Sequence, residues 1–451
     1  MLERDVSHAG ETSKEHLDQL RYVINFAKST QIRDDHGVDH DVRDALGTHA
    51  WRVADTLRPR LEDEDHLGPA VRALPELLAE TRAKRSTLTE HFGLSPERID
   101  TEVTVRKLVL VLGGGGGAGY GYAGLFTQLH RADLQPELIV GTSIGSLLGC
   151  FRARTRVHDL ARLVEANKKL SWSGVFSLRP EPSRYGLPAT LRLHLRRAIG
   201  EFLLNDEGRV MSLSELEIPF YVVATGLTVD ALKHDLGYYE HFLDDVVKPG
   251  FVFRASRLRQ VSKVANLFGD FASNPDALRK VVFGFDPGTE DVDCIDATGF
   301  SSSVPGLLHY DVHRDDQRMK HLLDQLYADY GITRLTEGGV VDNVPARVAF
   351  KALMQGRLEG HRNGWILAVD CFAPRPSTLL FYAIQQVARA NVIKSRPYAN
   401  LYLPLSRTLS PLNLVPKVED VARASRWAMR DFEPHLPLLG AMFTPFEALD
   451  G

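Results

Sequence analysis

Three stretches of the chain combine residue types and spacings that could carry chemistry. The first is Gly141-Thr142-Ser143-Ile144-Gly145. A serine flanked by glycines in this pattern suits a nucleophile on a sharp strand-to-helix turn, where the backbone is strained and the helix must pack closely. Ser143 would then stand at a helix N-terminus, where the helix dipole and the N–H of Ile144 favour a developing oxyanion. The competing reading is an ordinary turn serine.

The second stretch is Gly114-Gly115-Gly116-Gly117-Ala118-Gly119, followed by Gly121 and Gly124. It satisfies GxGxxG at Gly114, Gly116 and Gly119, so nucleotide-binding readings compete with an oxyanion loop. A dinucleotide fold requires an acid at the end of the second strand to hold the ribose. That strand ends in Val140-Gly141-Thr142-Ser143, which is the wrong chemistry. A P-loop requires Gly-Lys-Ser/Thr, and no lysine occurs between Lys107 and Lys168. A purely structural loop would carry needless unfolded-state entropy at every glycine. Backbone N–H groups facing the acyl oxygen of a Ser143 adduct fit the loop best.

The third stretch is Thr336-Glu337-Gly338-Gly339-Val340-Val341-Asp342-Asn343-Val344-Pro345. A serine is a weak nucleophile until a base takes its proton, and a carboxylate can do so when partial burial raises its pKa. Glu337 stands directly before a glycine turn that could aim it at the elbow, and its extra methylene adds about 1.5 Å of reach. Asp342 is the alternative base. Taken alone, Asp342 or Asn343 could equally cap the next helix.

The elements needed to hold these groups are legible around them. Lys107-Leu-Val-Leu-Val-Leu112 is a continuous apolar run, as expected of a parallel strand covered on both faces. The glycine loop, a helical stretch through Leu125 and Leu129, and a short strand at 137–140 complete a βαβ unit. Residues 218–225 and 364–370 read as further buried strands. Residues 1–103 read as helices, with Leu17, Leu20, Val23, Ile24 and Leu74, Leu77, Leu78 at three-to-four spacing. Within them, Asp34, Asp35, His36, Asp39, His40 and Asp41 have ligand chemistry, although no metal motif accompanies them and a solvated acidic turn is the plainer reading. In 251–268, Leu258, Val261, Ala265 and Phe268 form an apolar stripe beside Arg254, Arg257, Arg259 and Lys263. Such a helix could lie on an anionic lipid surface or simply pack on the core.

The whole chain sets limits on these readings. Its 451 residues suggest about three domains. With 44% hydrophobic and 25% charged residues, wholesale disorder or a coiled coil is excluded. A net charge of −4 supplies no basic field for nucleic acid. That charge is uneven, −6 over residues 1–100 and +2 over the remainder, so the later part would meet any anionic surface. Three distant cysteines, Cys150, Cys294 and Cys371, support neither a disulfide framework nor a zinc site, and fit a reducing compartment. No secretory signal is visible at the N-terminus, and the longest apolar run, 138–151, is too short and interrupted to span a bilayer.

In this order, the motifs resemble the patatin-like phospholipase family. The resemblance covers about residues 106–400 and rests on the glycine loop at 114–119, the elbow at 141–145 and the block at 337–345. Supporting stretches are 218–225 and Phe300-Ser301-Ser302-Ser303-Val304-Pro305-Gly306. It implies an α/β fold, a three-layer α/β/α sandwich with a mostly parallel sheet. That domain would span 104–400, between a helical N-terminal region at 1–103 and a C-terminal helical extension at 401–451. It also implies a Ser/carboxylate dyad without histidine that cleaves acyl esters of membrane or neutral lipids. Two positions depart from the family pattern. Ala118 stands where Arg or Lys is usual, and Glu337 stands where the family has Asp.

The expected scheme is a serine acyl-ester hydrolase. Ser143 attacks the carbonyl, Glu337 or Asp342 accepts its proton, and N–H groups of Gly115, Gly116 and Ile144 hold the oxyanion. The scheme needs no metal or organic cofactor. Its partners are a lipid ester and a peripheral membrane surface, in the cytoplasm. A second enzyme reading is an α/β-hydrolase triad of Ser143, Asp370 and His435, disfavoured because His435 sits in Glu433-Pro-His-Leu-Pro outside any strand-loop context. A different class is a lipid-binding or regulatory protein that keeps the fold without turnover.

Overall fold

The computed structural model describes residues 13–61, 67–178, 183–232, 234–241, 263, 266, 267, 269–271, 273–312, 316–374 and 382–449. The chain forms two compact units. One comprises Met1–Leu108, Lys351–Trp365 and Glu433–Gly451, and the other Val109–Phe350 and Ile366–Phe432.

The first unit is mainly helical, as the three-to-four spacing of its leucines requires. Helices Lys14–Ala27, Arg43–Leu57, Gly68–Phe92 and Pro96–Thr104 bury Leu20, Phe26, Leu46, Val53, Leu74 and Leu77 in one core. Ser13 caps the first of them by accepting the N–H of His16, and Ser95 caps the last by accepting that of Arg98, with Pro96 at the first helical position. The acidic stretch within this region is not helical. It forms a hairpin of β1 (Gln31–Arg33) and β2 (Asp39–Asp41). Asp34 accepts the N–H groups of His36 and Val38 and bonds His40 Nε2 at 2.9 Å, while Arg33 pairs with Asp39. Among the described residues no group of three acidic, histidine or cysteine side chains is placed to hold a metal ion.

The second unit is built on a mixed, mostly parallel sheet, the α/β class the sequence suggests. In chain order its strands are β3 (Lys107–Leu112), β4 (Pro136–Thr142), β7 (Phe220–Leu227), β8 (Leu278–Phe283), β10 (Arg334–Thr336), β11 (Gly364–Asp370) and β12 (Leu401–Pro404). A smaller sheet contains β5 (Phe176–Ser177), β6 (Ala189–Leu193) and β9 (Gly306–His309), in that order. In the large sheet the order is β10-β7-β4-β3-β11-β12, with β8 also paired to β7. Residues 108–112 of β3 and all of β7 are buried, as strands covered on both faces must be.

The registers on β7 decide what meets what. β4 runs parallel to β7 and ends with Thr142 opposite Val223. β10 runs antiparallel to β7 and ends with Thr336 opposite Thr225. Since β8 occupies the other edge of β7 along 222–227, β4 and β10 share one edge and approach each other end to end. One position, that of Ala224, separates them. The residues that leave the two strands into this gap are Ser143 and Glu337.

The segment 251–268 lies outside the described residues except for Lys263, Asn266 and Leu267. No described helix is long and apolar enough to cross a membrane.

Candidate active site

Ser143 links β4 to the helix Ile144–Ala153 at φ 53° and ψ −125°, a conformation that costs a non-glycine residue energy and persists only when its surroundings impose it. Those surroundings are visible. The Ser143 N–H donates to Ser301 Oγ at 2.8 Å, and Ser301 in turn donates to Val223 O at 2.6 Å. The Ser143 carbonyl accepts the N–H groups of Ser146 and Leu147 at 2.8 and 3.0 Å. Gly145 lets the helix settle on β3, because a Cβ there would lie 2.2 Å from Leu112 O.

The Ser143 hydroxyl donates to Glu337 Oε2 at 3.0 Å. Glu337 is held by its backbone, its N–H donating to Ser303 O at 3.0 Å and its carbonyl accepting the Thr225 hydroxyl at 2.7 Å. The second carboxylate oxygen accepts the Gly339 N–H at 3.3 Å. Burial raises the Glu337 carboxyl to about 8, against the opposing pull of the Ser143 and Gly339 hydrogen bonds.

Both residues line an apolar cavity of about 210 Å³. Its walls come from Leu147 and Phe151 of the elbow helix, Leu163 of the helix Leu160–Lys169, Phe176 and Leu193 of the small sheet, and Leu412. Among the described lining residues there is no histidine, lysine or arginine. The glycine loop borders the same space. Gly113, Gly114, Gly117 and Ala118 donate their N–H groups to Val369 O, Asn343 O, Pro411 O and Gly115 O at 2.9 to 3.2 Å. The N–H groups of Gly115, Gly116 and Ile144 donate to nothing among the described residues, and all three residues line the cavity. These three residues thus share the cavity border with Ser143.

Asp342 is placed differently. Its carboxylate pairs with Lys280 and its carbonyl accepts the Thr142 hydroxyl at 3.0 Å. It is buried, does not line the cavity, and caps no helix, since the next one is Ala346–Met354. Asn343 is also not a cap. Its side-chain amide donates to Gly114 O at 3.4 Å, joining this block to the glycine loop. Asp370 accepts the N–H of Phe372 and the hydroxyl of Tyr402, and His435 belongs to the other compact unit. Ala118 is fully buried and brings no charge. The cysteines are buried and unbridged.

Several residues of the site had no signal of their own in the sequence. Ser301 and Ser303 brace Ser143 and Glu337, yet they are legible only as part of a run of small residues at 300–306. The cavity walls between 147 and 199 and near 412 come from segments without a clear period.

The site is thus a strained serine turn hydrogen-bonded to a buried carboxylate beside a glycine loop, on a mixed, mostly parallel α/β sheet. The chain belongs to the patatin-like phospholipase family, whose model matches residues 110–350. No curated protein matches the chain.

Proposed function

We propose that the protein is a lipid acyl-ester hydrolase that works through Ser143 and Glu337. The observation that carries this reading is the 3.0 Å hydrogen bond from Ser143 Oγ to a buried glutamate that meets no cation among the described residues and lines an apolar cavity. Glu337 takes the hydroxyl proton as Ser143 attacks the ester carbonyl. A base raised to about 8 is strong enough for that transfer and is still partly ionised near neutral pH. The negative charge that develops on the carbonyl oxygen meets the N–H groups of Gly115, Gly116 and Ile144. The protonated Glu337 then returns the proton to the leaving alcohol. Water, deprotonated by the same carboxylate, releases the acid from the acyl-enzyme. The apolar walls suit the acyl chain of a phospholipid or neutral lipid, which would be met at a membrane or droplet surface.

Labelling with a fluorophosphonate ester tests this reading, because it needs an activated serine rather than a lipid pocket. Wild-type protein should label and Ser143→Ala should not. One observation favours a second reading, a lipid-binding protein without turnover: Ala118 leaves the glycine loop without a cation. Absence of labelling in wild-type protein would favour it.

A further inference from the structure

We infer that residues 410–414, which lie beyond the family match, select the length of the acyl chain, an assignment that rests on reading the Ser143 cavity as an acyl site. β12 ends at Pro404 and the next helix, Val418–Phe432, begins at Val418, so the intervening segment has no regular structure. It is nevertheless firmly placed. Pro411 O accepts the Gly117 N–H at 2.9 Å, Leu414 O accepts the Tyr120 hydroxyl at 3.0 Å, and Pro416 O accepts the Asn167 side-chain amide at 3.3 Å. The segment is therefore tied to the glycine loop at one end and to the helix Leu160–Lys169 at the other.

The fit on the glycine loop is close. A Cβ on Gly116, which also has φ 54°, would lie 2.4 Å from Pro411 O, and one on Gly117 would lie 2.4 Å from both Ser410 O and Asn413 O. Absence of side chains at 116 and 117 thus lets this distant segment rest on the loop. By taking the Gly117 N–H, Pro411 also leaves Gly115 and Gly116 as the donors bordering the cavity.

Pro411, Leu412 and Leu414 line the cavity together with Phe151, Leu163 and Leu170, and all three are only half-buried. They thus border the space an acyl chain would take. Each methylene withdrawn from water gains about 0.8 kcal/mol, so the side chains that bound the apolar space set the length at which that gain stops. Carried on an irregular segment rather than on a helix or sheet of the core, these leucines can vary in size without disturbing the elbow.

The test is the ratio of kcat/KM for long to short straight-chain p-nitrophenyl esters, from butanoate to hexadecanoate. Leu412→Trp and Leu414→Trp should lower that ratio about tenfold or more, equivalent to two methylenes refused. Leu412→Ala and Leu414→Ala should shift the optimum to longer chains, and because they only remove atoms they carry the test if the Trp variants do not fold. A ratio unchanged in every folded variant overturns the inference. An independent arm measures calorimetric binding of straight-chain alkanols to Ser143→Ala protein carrying the same changes. If wild-type protein hydrolyses no ester while long-alkanol binding still falls about tenfold in the Trp variants, the hydrolase reading fails and this one stands. Binding that ignores both leucines overturns it.

Discussion

Glu337 and Asp342 stand five residues apart on one glycine-containing turn, both buried, and their surroundings have made them different groups. Glu337 meets a hydroxyl and a backbone N–H but no cation among the described residues, so burial wins and its carboxyl is held up at about 8. Asp342 is also pushed upward by burial, but it faces the Lys280 ammonium, which pulls it back. The first sits where a proton can be taken from Ser143, and the second joins a loop to β8. Residue type and nearness in sequence therefore do not fix a carboxylate's character; the group placed opposite it does.

The sharpest way to break this comparison is to neutralise each group in turn. Glu337→Gln should lower turnover of a soluble ester about 10² to 10⁴ fold, the range for losing a general base, whereas Asp342→Asn should stay within about tenfold. The opposite ranking would move the base to Asp342.

The pH profile sharpens it further. In the proposed mechanism ionised Glu337 is the competent form, so kcat/KM should rise with pH, reach half its plateau at about 8 and be about a hundredfold lower at pH 6. Asp342→Asn should leave that midpoint in place. Stability should show the opposite sign. With its pKa raised above the ordinary 4.5, Glu337 favours the fold in its neutral form, so this contribution is intact below about 4.5 and is lost as pH rises through about 8. Glu337→Gln should therefore shift the unfolding free energy in favour of the fold more at pH 8 than at pH 5, by on the order of several kcal/mol. A gain that is equal at both pH values would deny that Glu337 is buried as an acid.

Stability also separates the two ends of the Lys280–Asp342 pair. Lys280→Gln leaves a buried carboxylate without its cation and should cost about 3 kcal/mol in denaturant unfolding. Asp342→Asn leaves an ammonium that is a third exposed and can be rehydrated, so it should cost less. The smallest effect is expected at Ser301, which acts through Ser143. Ser301→Ala should lower kcat about tenfold with little change in KM, because it releases the Ser143 N–H rather than the substrate. An equal loss in KM would make Ser301 a wall residue.

Much of the scaffold is readable locally. Residues 107–112 and 364–370 form strands with the bounds expected from their apolar runs, while β4 extends to Pro136–Thr142 and β7 is shifted to Phe220–Leu227. The hairpin within the N-terminal helices escapes such a reading because Asp34 satisfies backbone N–H groups with its side chain, an alternative to helix that leaves no apolar period. The small sheet escapes it too. Phe176–Ser177 and Gly306–His309 are too short for alternation to stand out, and they gain their place by pairing with Ala189–Leu193.

By itself, the sequence determines the serine turn, the glycine loop and the acidic block. Each depends on small neighbours and an adjoining apolar run within about ten residues, and steric permission of that kind is a local property. Tertiary structure alone decides which carboxylate faces the serine, which glycine-loop N–H groups are taken by distant carbonyls, and what walls the cavity. The first follows from β4 and β10 ending one position apart on β7, and the second from Asn343 and Pro411 taking the N–H groups of Gly114 and Gly117. These partners are separated by about two to three hundred residues. No local period encodes such a meeting, and only the register of the folded sheet brings it about.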